Sequence, residues 1–226
     1  MTDELDDFAH LIGDDEFDTS LLKRESETVE ERTTGEIDTK FVKNIRVQRA
    51  VPRVEITYQS SSKVQEAHGE ILKIEDGEVR SERAIAGHQY GTDGFELQVS
   101  KRLFRTYADV TTPEERLAAL YSVGYSLRSV MARQLGVNPI EIQCEPHLLN
   151  DYLRLLVYDN EPGGAGLSYP IYKNLSAVFD EASMQLETCE CSNYCENCLL
   201  LPRTPTFLLD KNLLQRELGA ALLDMR

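Results

Sequence analysis

The stretch 159–198 decides how this chain is read. It opens DNEPGGAGL (Asp159 to Leu167), continues SYPIYKNLSAVFDEASMQLET (168–188) and closes CECSNYCENC (Cys189 to Cys198). Just before it, Leu153, Leu155, Leu156, Val157 and Tyr158 form a short apolar run closed by a turn signal, the pattern of a buried strand. Gly163, Gly164 and Gly166 allow positive φ or close backbone approach, and Pro162 restricts the entry. A helix is expected from near Leu167. Ile171, Leu175, Val178, Phe179 and Ala182 share one broad face of it, and it ends before Thr188.

Cys189, Cys191, Cys195 and Cys198 lie within ten residues. Four thiolates can surround one tetrahedral Zn²⁺ at about 2.3 Å each, and the short spacings let one loop close around the ion at little entropic cost. The Cys-x-x-Cys half is ordinary for zinc. The Cys-x-Cys half is less usual, because residues two apart must be bent inward. Two local disulfides, free thiols or a redox Cys-x-x-Cys are the competing readings. Zinc is favoured because nothing else in the chain suggests an oxidising compartment. A site filled by four sulfurs has no open position, so its role is structural.

The order strand, Tyr158-Asp159-Asn160-x-Pro162-Gly163-Gly164-x-Gly166-Leu167, helix, Cys-x-Cys-x-x-x-Cys-x-x-Cys resembles the MZB domain. This is the C-terminal zinc-binding domain of a group of superfamily-2 DNA helicases that includes a mitomycin-repair helicase. The pattern is also similar to DrmB-type subunits of the DISARM anti-phage system, in which such a domain works beside a separate helicase. The resemblance covers about residues 90 to 200. It rests on the combined motif, since a glycine loop alone is weak. It implies a non-catalytic zinc-binding accessory subunit, paired with a helicase or translocase and reaching DNA through the complex, in anti-phage defence or DNA repair.

Composition bounds the other possibilities. At 226 residues with 41% hydrophobic content, the chain can bury a substantial core. Its apolar runs are far shorter than a membrane span. The N-terminal residues MTDELDD have neither a basic nor an apolar segment, so a cytoplasmic location is expected. Five cysteines, an odd number, argue against a secreted disulfide framework, and Cys144, apart from the cluster, reads as a small buried hydrophobe. The net charge of −15 is uneven: residues 1–40 hold fourteen acids and four bases, the other 186 residues 25 acids and 20 bases. The second part is only mildly acidic and has no phosphate-steering field over its whole surface.

Residues 1–40 therefore read as an acidic, largely disordered tail. Leu5, Phe8, Leu11 and Ile12 have helical spacing suited to docking on a partner, with Phe17, Leu21 and Leu22 beyond them. Residues 41–226 read as one α+β zinc-binding domain. Strands are expected at Val54-Ile56-Tyr58, at Ile71-Leu72-Ile74 ending in Asp76-Gly77, and at Phe95-Leu97-Val99 after a Gly91-Thr92-Asp93-Gly94 turn. Thr92-Asp93 resembles a short motif of the same family, and Asp93 reads as a turn residue. Ser60 to Ser62 mark a turn. His68 and His88 have no ligand partner at suitable spacing.

Thr112-Pro113-Glu114-Glu115 is a helix start with a capping box, and Gly136 is its stop. Leu117, Leu120, Tyr121, Gly124, Leu127, Met131 and Leu135 follow at steps of three and four, and the Tyr121, Tyr125, Met131 stripe reads as core. Ile140 and Ile142 suggest a strand, and Glu145-Pro146 a turn. After Pro202 and Pro205, Asp210 is expected to cap a last helix carrying Leu213, Leu214, Leu218, Ala221, Leu222 and Met225.

The glycine loop also invites a phosphate-binding reading. However, no Gly-Lys-Ser/Thr follows it and the dinucleotide spacing is absent. Asp159, Gly163, Gly164 and Gly166 remain a tight structural turn or a contact to a nucleic-acid backbone or partner. Asp159 and Glu161 could act as paired carboxylates or cap the loop and the next helix. No nucleophile with a nearby base stands out, and Ser168 with His147 makes no credible pair. The expected architecture is a small mixed or antiparallel sheet against two long helices, Thr112 to Leu135 and Leu167 to Leu186, with a four-cysteine zinc knuckle pinning the second. A stand-alone nucleic-acid-binding module and a metal-dependent enzyme at residues 159–166 are the alternative functions.

Overall fold

The computed structural model describes residues 19–23, 27–51, 71–75, 78–82 and 86–226. They divide into two units, one drawn from residues 1–24 and 46–90, the other from 25–45 and 91–226. In the first, β1 (Thr19–Lys23) runs antiparallel to the far half of β3 (Ile37–Val51), with Thr19 opposite Ala50 and Lys23 opposite Arg46. β4 (Ile71–Glu75) and β5 (Glu78–Glu82) pair with Glu75 opposite Glu78, the hairpin expected around Asp76-Gly77. The expected strand at Val54 to Tyr58, the turn at Ser60 to Ser62, His68 and the apolar groups from Leu5 to Phe17 lie outside the described residues.

The second unit holds a sheet in which β2 (Glu27–Thr34) is followed by residues 37–45 of β3, then the end of β6 (Ala86–Ser100), then β8 (Tyr152–Asp159) and β7 (Ile142–Leu148). The pairs β2–β3, β6–β8 and β7–β8 are antiparallel. Residues 27–40 are therefore sheet rather than disordered tail. Glu31, Glu36 and Asp38 face outward, while Ile37, Phe41, Val42 and Ile45 are buried. Composition averages over that alternation and hides it. Gly35, at φ +58°, supplies the positive φ of the two-residue β2–β3 loop. Gly91 to Gly94 do not form a turn but continue β6. A Cβ on Gly94 would sit 2.4 Å from the Val157 carbonyl, so the glycine there permits close strand approach.

Six α-helices, α1 (Lys101–Ala108), α2 (Pro113–Leu135), α3 (Ser168–Lys173), α4 (Leu175–Thr188), α5 (Thr206–Asp210) and α6 (Arg216–Leu223), complete the described residues together with a 3-10 turn at Pro139–Glu141, which places Ile140 outside the strand expected there. α2 begins as its sequence predicts. Thr112 Oγ1 accepts from Glu115 N at 3.2 Å, and Glu115 Oε2 accepts from Thr112 N at 3.0 Å. It stops at Gly136, φ +68°. α2 is the central helix, packed on β7, β8, α4 and α6. Leu117, Leu120, Val123, Leu127, Val130 and Met131 are buried, each such side chain contributing roughly 1.5–3 kcal/mol.

Three boundaries differ from the sequence reading. The helix expected from Leu167 to Leu186 is two helices, interrupted at Asn174 (φ −113°, ψ 26°). α3 turns Tyr172 onto the β2–β3 hairpin, where its hydroxyl donates to Glu30 O at 3.2 Å and lies 3.3 Å from Thr39 O. Meanwhile α4 lies on α2. Pro146 is not in a turn but inside β7, opposite Leu155. β7 is the last strand in the sheet order, where a missing N–H is tolerated. Asp210 ends α5 instead of capping the last helix. α6 starts at Arg216, and the N–H of Gln215 donates to Ser122 Oγ of α2 at 2.7 Å. No local pattern could announce a cap borrowed from 93 residues away.

Cys144 is buried, as expected, and explains Gly124. A Cβ at position 124 would lie 2.6 Å from Cys144 Sγ and 3.3 Å from Leu155 Cδ1, so glycine is what lets α2 approach β7 and β8. Gly124→Val should therefore destabilise the chain by about 2–3 kcal/mol in urea unfolding. An unchanged midpoint would show that the helix and sheet can separate freely there.

Candidate metal centre

The loop after β8 is organised by Asp159, which is wholly buried. Its Oδ2 accepts from Leu167 N at 3.0 Å, and its Oδ1 from Ser168 N at 2.9 Å and from Ser168 Oγ. Its backbone carbonyl accepts from Thr92 Oγ1 at 2.7 Å. The carboxylate thus takes the donors at the start of α3, where a phosphate would otherwise bind. Gly163, Gly164 and Gly166 adopt φ +85°, +76° and +73°. Gly163 N donates to Gly91 O at 2.7 Å and Gly164 N to Glu161 O at 2.9 Å, closing the turn onto β6. Glu161 is exposed. Asp93 lies within β6, and its Oδ1 accepts from Asn44 N at 3.2 Å.

α4 leads directly into the cysteines. The Cys189–Cys191, Cys189–Cys195 and Cys191–Cys198 sulfur pairs are each 3.5 Å apart, Cys195–Cys198 is 3.7 Å, and all four sulfurs lie within 4.8 Å of one another. A tetrahedron of sulfurs about Zn²⁺ has edges of about 3.8 Å, whereas a disulfide requires about 2.05 Å. All the cysteines are free thiols. The donor set and spacing fit one zinc ion and do not fit disulfides. Among the described residues this is the sole group of three or more such side chains close enough to share an ion.

The surroundings favour thiolate at Cys189 and disfavour it at Cys191 and Cys198. The backbone N–H of Cys191 and the neighbouring thiols pull Cys189 down to about 7, while burial pushes Cys191 and Cys198 up. Four charges at this spacing need a cation between them. Cys195 N donates to Cys198 Sγ at 3.2 Å, and Cys195 O accepts from Cys198, Leu199 and Leu200 N at 3.0–3.1 Å. Arg216 on α6 reaches back, with Nε to Cys191 O at 3.2 Å and Nη1 to Leu186 O at 3.0 Å. Gln185 Nε2 holds Cys198 O at 2.8 Å.

Sequence reasoning missed Arg216 and Gln185, which carry no spacing signal, and the partner role of Thr92. Ser168 is no nucleophile, because its hydroxyl is committed to Asp159. His147 lies on β7 opposite Arg154, not on the glycine loop.

Residues 123–199 match the family model of MZB, the MrfA Zn-binding domain. The match runs from the middle of α2 to the residue after the fourth cysteine, a narrower span than the expected 90 to 200. Over 151 residues the chain is 28% identical to the Druantia protein DruE of Escherichia coli, covering 62% of this chain and 8% of that protein. Over 67 residues it is 30% identical to an uncharacterised protein of Methanocaldococcus jannaschii, covering 29% of this chain and 60% of that one. The chain thus spans less than two thirds of either relative. The crystal structure of the DUF1998 helicase MrfA bound to DNA shares the fold, with a TM-score of 0.54 over 93% of this chain and 25% of that one, at 14% identity.

Elemental analysis should find one zinc per chain. Cys195→Ser or Cys198→Ser should lose it and expose the region after Leu186 to protease, because metal binding is coupled to local folding. After chelation, four thiols should react quickly with a disulfide reagent. Cys144, pushed up to about 11 by burial, should react only on unfolding. Gly163→Val should cost roughly 1–2 kcal/mol through left-handed strain, in denaturant titration; wild-type stability in that variant would remove the conformational argument.

Proposed function

We propose that the chain is a non-catalytic zinc-binding accessory component of a DNA helicase or translocase, a reading supported by the match of residues 123–199 to the MZB family model. It acts in anti-phage defence or DNA repair and reaches DNA within that complex. The observation that carries this reading is the zinc-ready Cys189, Cys191, Cys195 and Cys198 cluster at the end of a fold shared with a DNA-bound helicase. The identity to a Druantia protein supports the defence role. Zinc holds α4 and the loop before α5 in place; the ATP-driven work belongs to the partner motor.

The loop supports a structural rather than catalytic role. Its one buried carboxylate, Asp159, already accepts three hydrogen bonds from Leu167 and Ser168, and the glycines serve the turn. A cytoplasmic location fits this work. Among the described residues no helix is long and apolar enough to cross a membrane.

The purified chain should hydrolyse no ATP, and it should co-purify with a helicase-like protein through an interface of at least about 1,000 Å². Adding it to that helicase should change ATPase and unwinding rates. If no helicase-like protein associates, and the chain alone binds DNA tightly, a stand-alone nucleic-acid-binding module replaces this reading.

A further inference from the structure

β7 ends the sheet order, and no described strand pairs with its outer edge. The ladder on its other side shows which groups that edge offers. Leu149 N donates to Tyr152 O at 2.9 Å, and Asn160 N to Glu141 O at 2.8 Å. Residues 141, 143, 145, 147 and 149 therefore aim their backbone groups at β8, while Ile142, Cys144, Pro146 and Leu148 aim theirs away from it. The N–H of Ile142 is taken by Pro139 O, and Pro146 has none. Among the described residues the N–H and carbonyl of Cys144 and the N–H of Leu148 have no partner.

Arg128 of α2 stands at this edge. Its Nε and Nη2 donate at 3.4 and 3.1 Å to Pro139 O, the oxygen that also takes the outward N–H of Ile142. Its guanidinium lies 4.8 Å from the centre of the Tyr125 ring, and its charge opposes the upward push of burial on the Cys144 thiol. Arg128 is only 5% exposed, and among the described residues no carboxylate pairs with it. Cys144, pushed up to about 11 by burial, and Tyr125, pushed up to about 12, are both neutral at pH 7, so neither supplies the counter-charge. Glu141 is turned to Asn138 N, and Glu145 alternates to the opposite face of the sheet from Cys144. A nearly buried cation without an anion is a costly arrangement that a partner's carboxylate would relieve.

We infer that the outer edge of β7 accepts an extended segment of a partner protein as an added antiparallel strand, with an acidic side chain opposite Cys144 placed against Arg128. The added residue opposite Cys144 exchanges backbone hydrogen bonds with it, and directly opposite residues share a face of the sheet. For Cys144 that is the α2 face, where Arg128 lies. The absent N–H of Pro146 keeps the addition short and centred on Cys144. A nucleic acid would meet a single arginine here and leave the strand's backbone groups unpaired. The inference goes beyond the helicase reading and does not depend on it.

The test uses the full, zinc-loaded chain with isotope labels. Without ligand, the Cys144 amide should exchange with solvent far faster than those of Gln143 and Glu145. Short random peptides displayed as a library are then selected against the chain. Selected peptides should carry an acidic residue within a β-prone run, and the best of them should slow Cys144 exchange and move the signals of the Cys144 amide and Arg128 Nε. Replacing the peptide's carboxylate by its amide should weaken binding about tenfold, as should a backbone N-methyl group on that residue. Arg128→Gln should abolish the preference for the acid, with zinc content and melting temperature read alongside. The two peptide changes leave the protein untouched, so the test stands even where that variant does not fold. A Cys144 amide as protected as its neighbours, selection of no binder, or binders indifferent to the loss of their carboxylate would overturn the inference. A dimer in sedimentation with slow Cys144 exchange would also overturn it, by assigning the edge to a second copy.

Discussion

Everything in the second unit hangs on a carboxylate that never meets water. Removing Asp159 from solvent is expensive unless its oxygens are satisfied. Here they are, by two backbone N–H groups and a hydroxyl at the start of α3, while its carbonyl is held by Thr92 on β6. Hydrogen bonds to an ionised acceptor are about twice as strong as neutral ones. One residue therefore fixes where β8 ends, how tightly the glycine loop must turn and where α3 begins. The three positive φ angles are the geometric consequence of bringing Leu167 back to Asp159 within eight residues.

From α3 the constraint passes outward. Phe41 meets Tyr169 edge-on at 4.8 Å and Tyr172 at 5.6 Å, and the Lys173 ammonium lies 2.7 Å from Glu30. These contacts seat α3 on the hairpin. The break at Asn174 then lets α4 run along α2 and deliver Cys189 to the metal cluster. Arg216 completes the circuit by tying α6 to both the end of α4 and the cysteine loop. The glycine loop and the zinc site, adjacent in sequence reading, are thus two ends of one connected path.

What could be read in advance was whatever depends on nearby residues. The Thr112 capping box, the Gly136 stop, the β8 strand and the four-cysteine spacing are all local, and all appear as expected. The failures have long-range causes. Residues 27–40 look like acidic tail until the alternation of Ile37, Thr39 and Phe41 is set against a partner sheet. Asp210 is a better cap by composition than Gln215, yet Ser122 arrives from α2 to do that work. Pro146 reads as a turn because its tolerance depends on β7 being the outer strand. Arg216 has no motif, since its function is to meet two carbonyls that only the folded chain brings together.

The seam between the β2–β3 hairpin and the end of α6 bears on how the protein is made. Glu36 N donates to Met225 O at 2.7 Å, and Gly35 lies against Arg226 so closely that no Cβ would fit. The hairpin is local and can zip early, but its docking surface is built from residues roughly 190 positions later in the chain. During synthesis the apolar side of this hairpin, with Ile37 and Phe41, has to wait until residues 216–226 have left the ribosome. Topology of this kind slows folding and leaves a strand pair open to wrong partners meanwhile. The charged residues of β2, Glu30, Glu31 and Arg32, keep that waiting edge soluble and discourage another strand from adding to it.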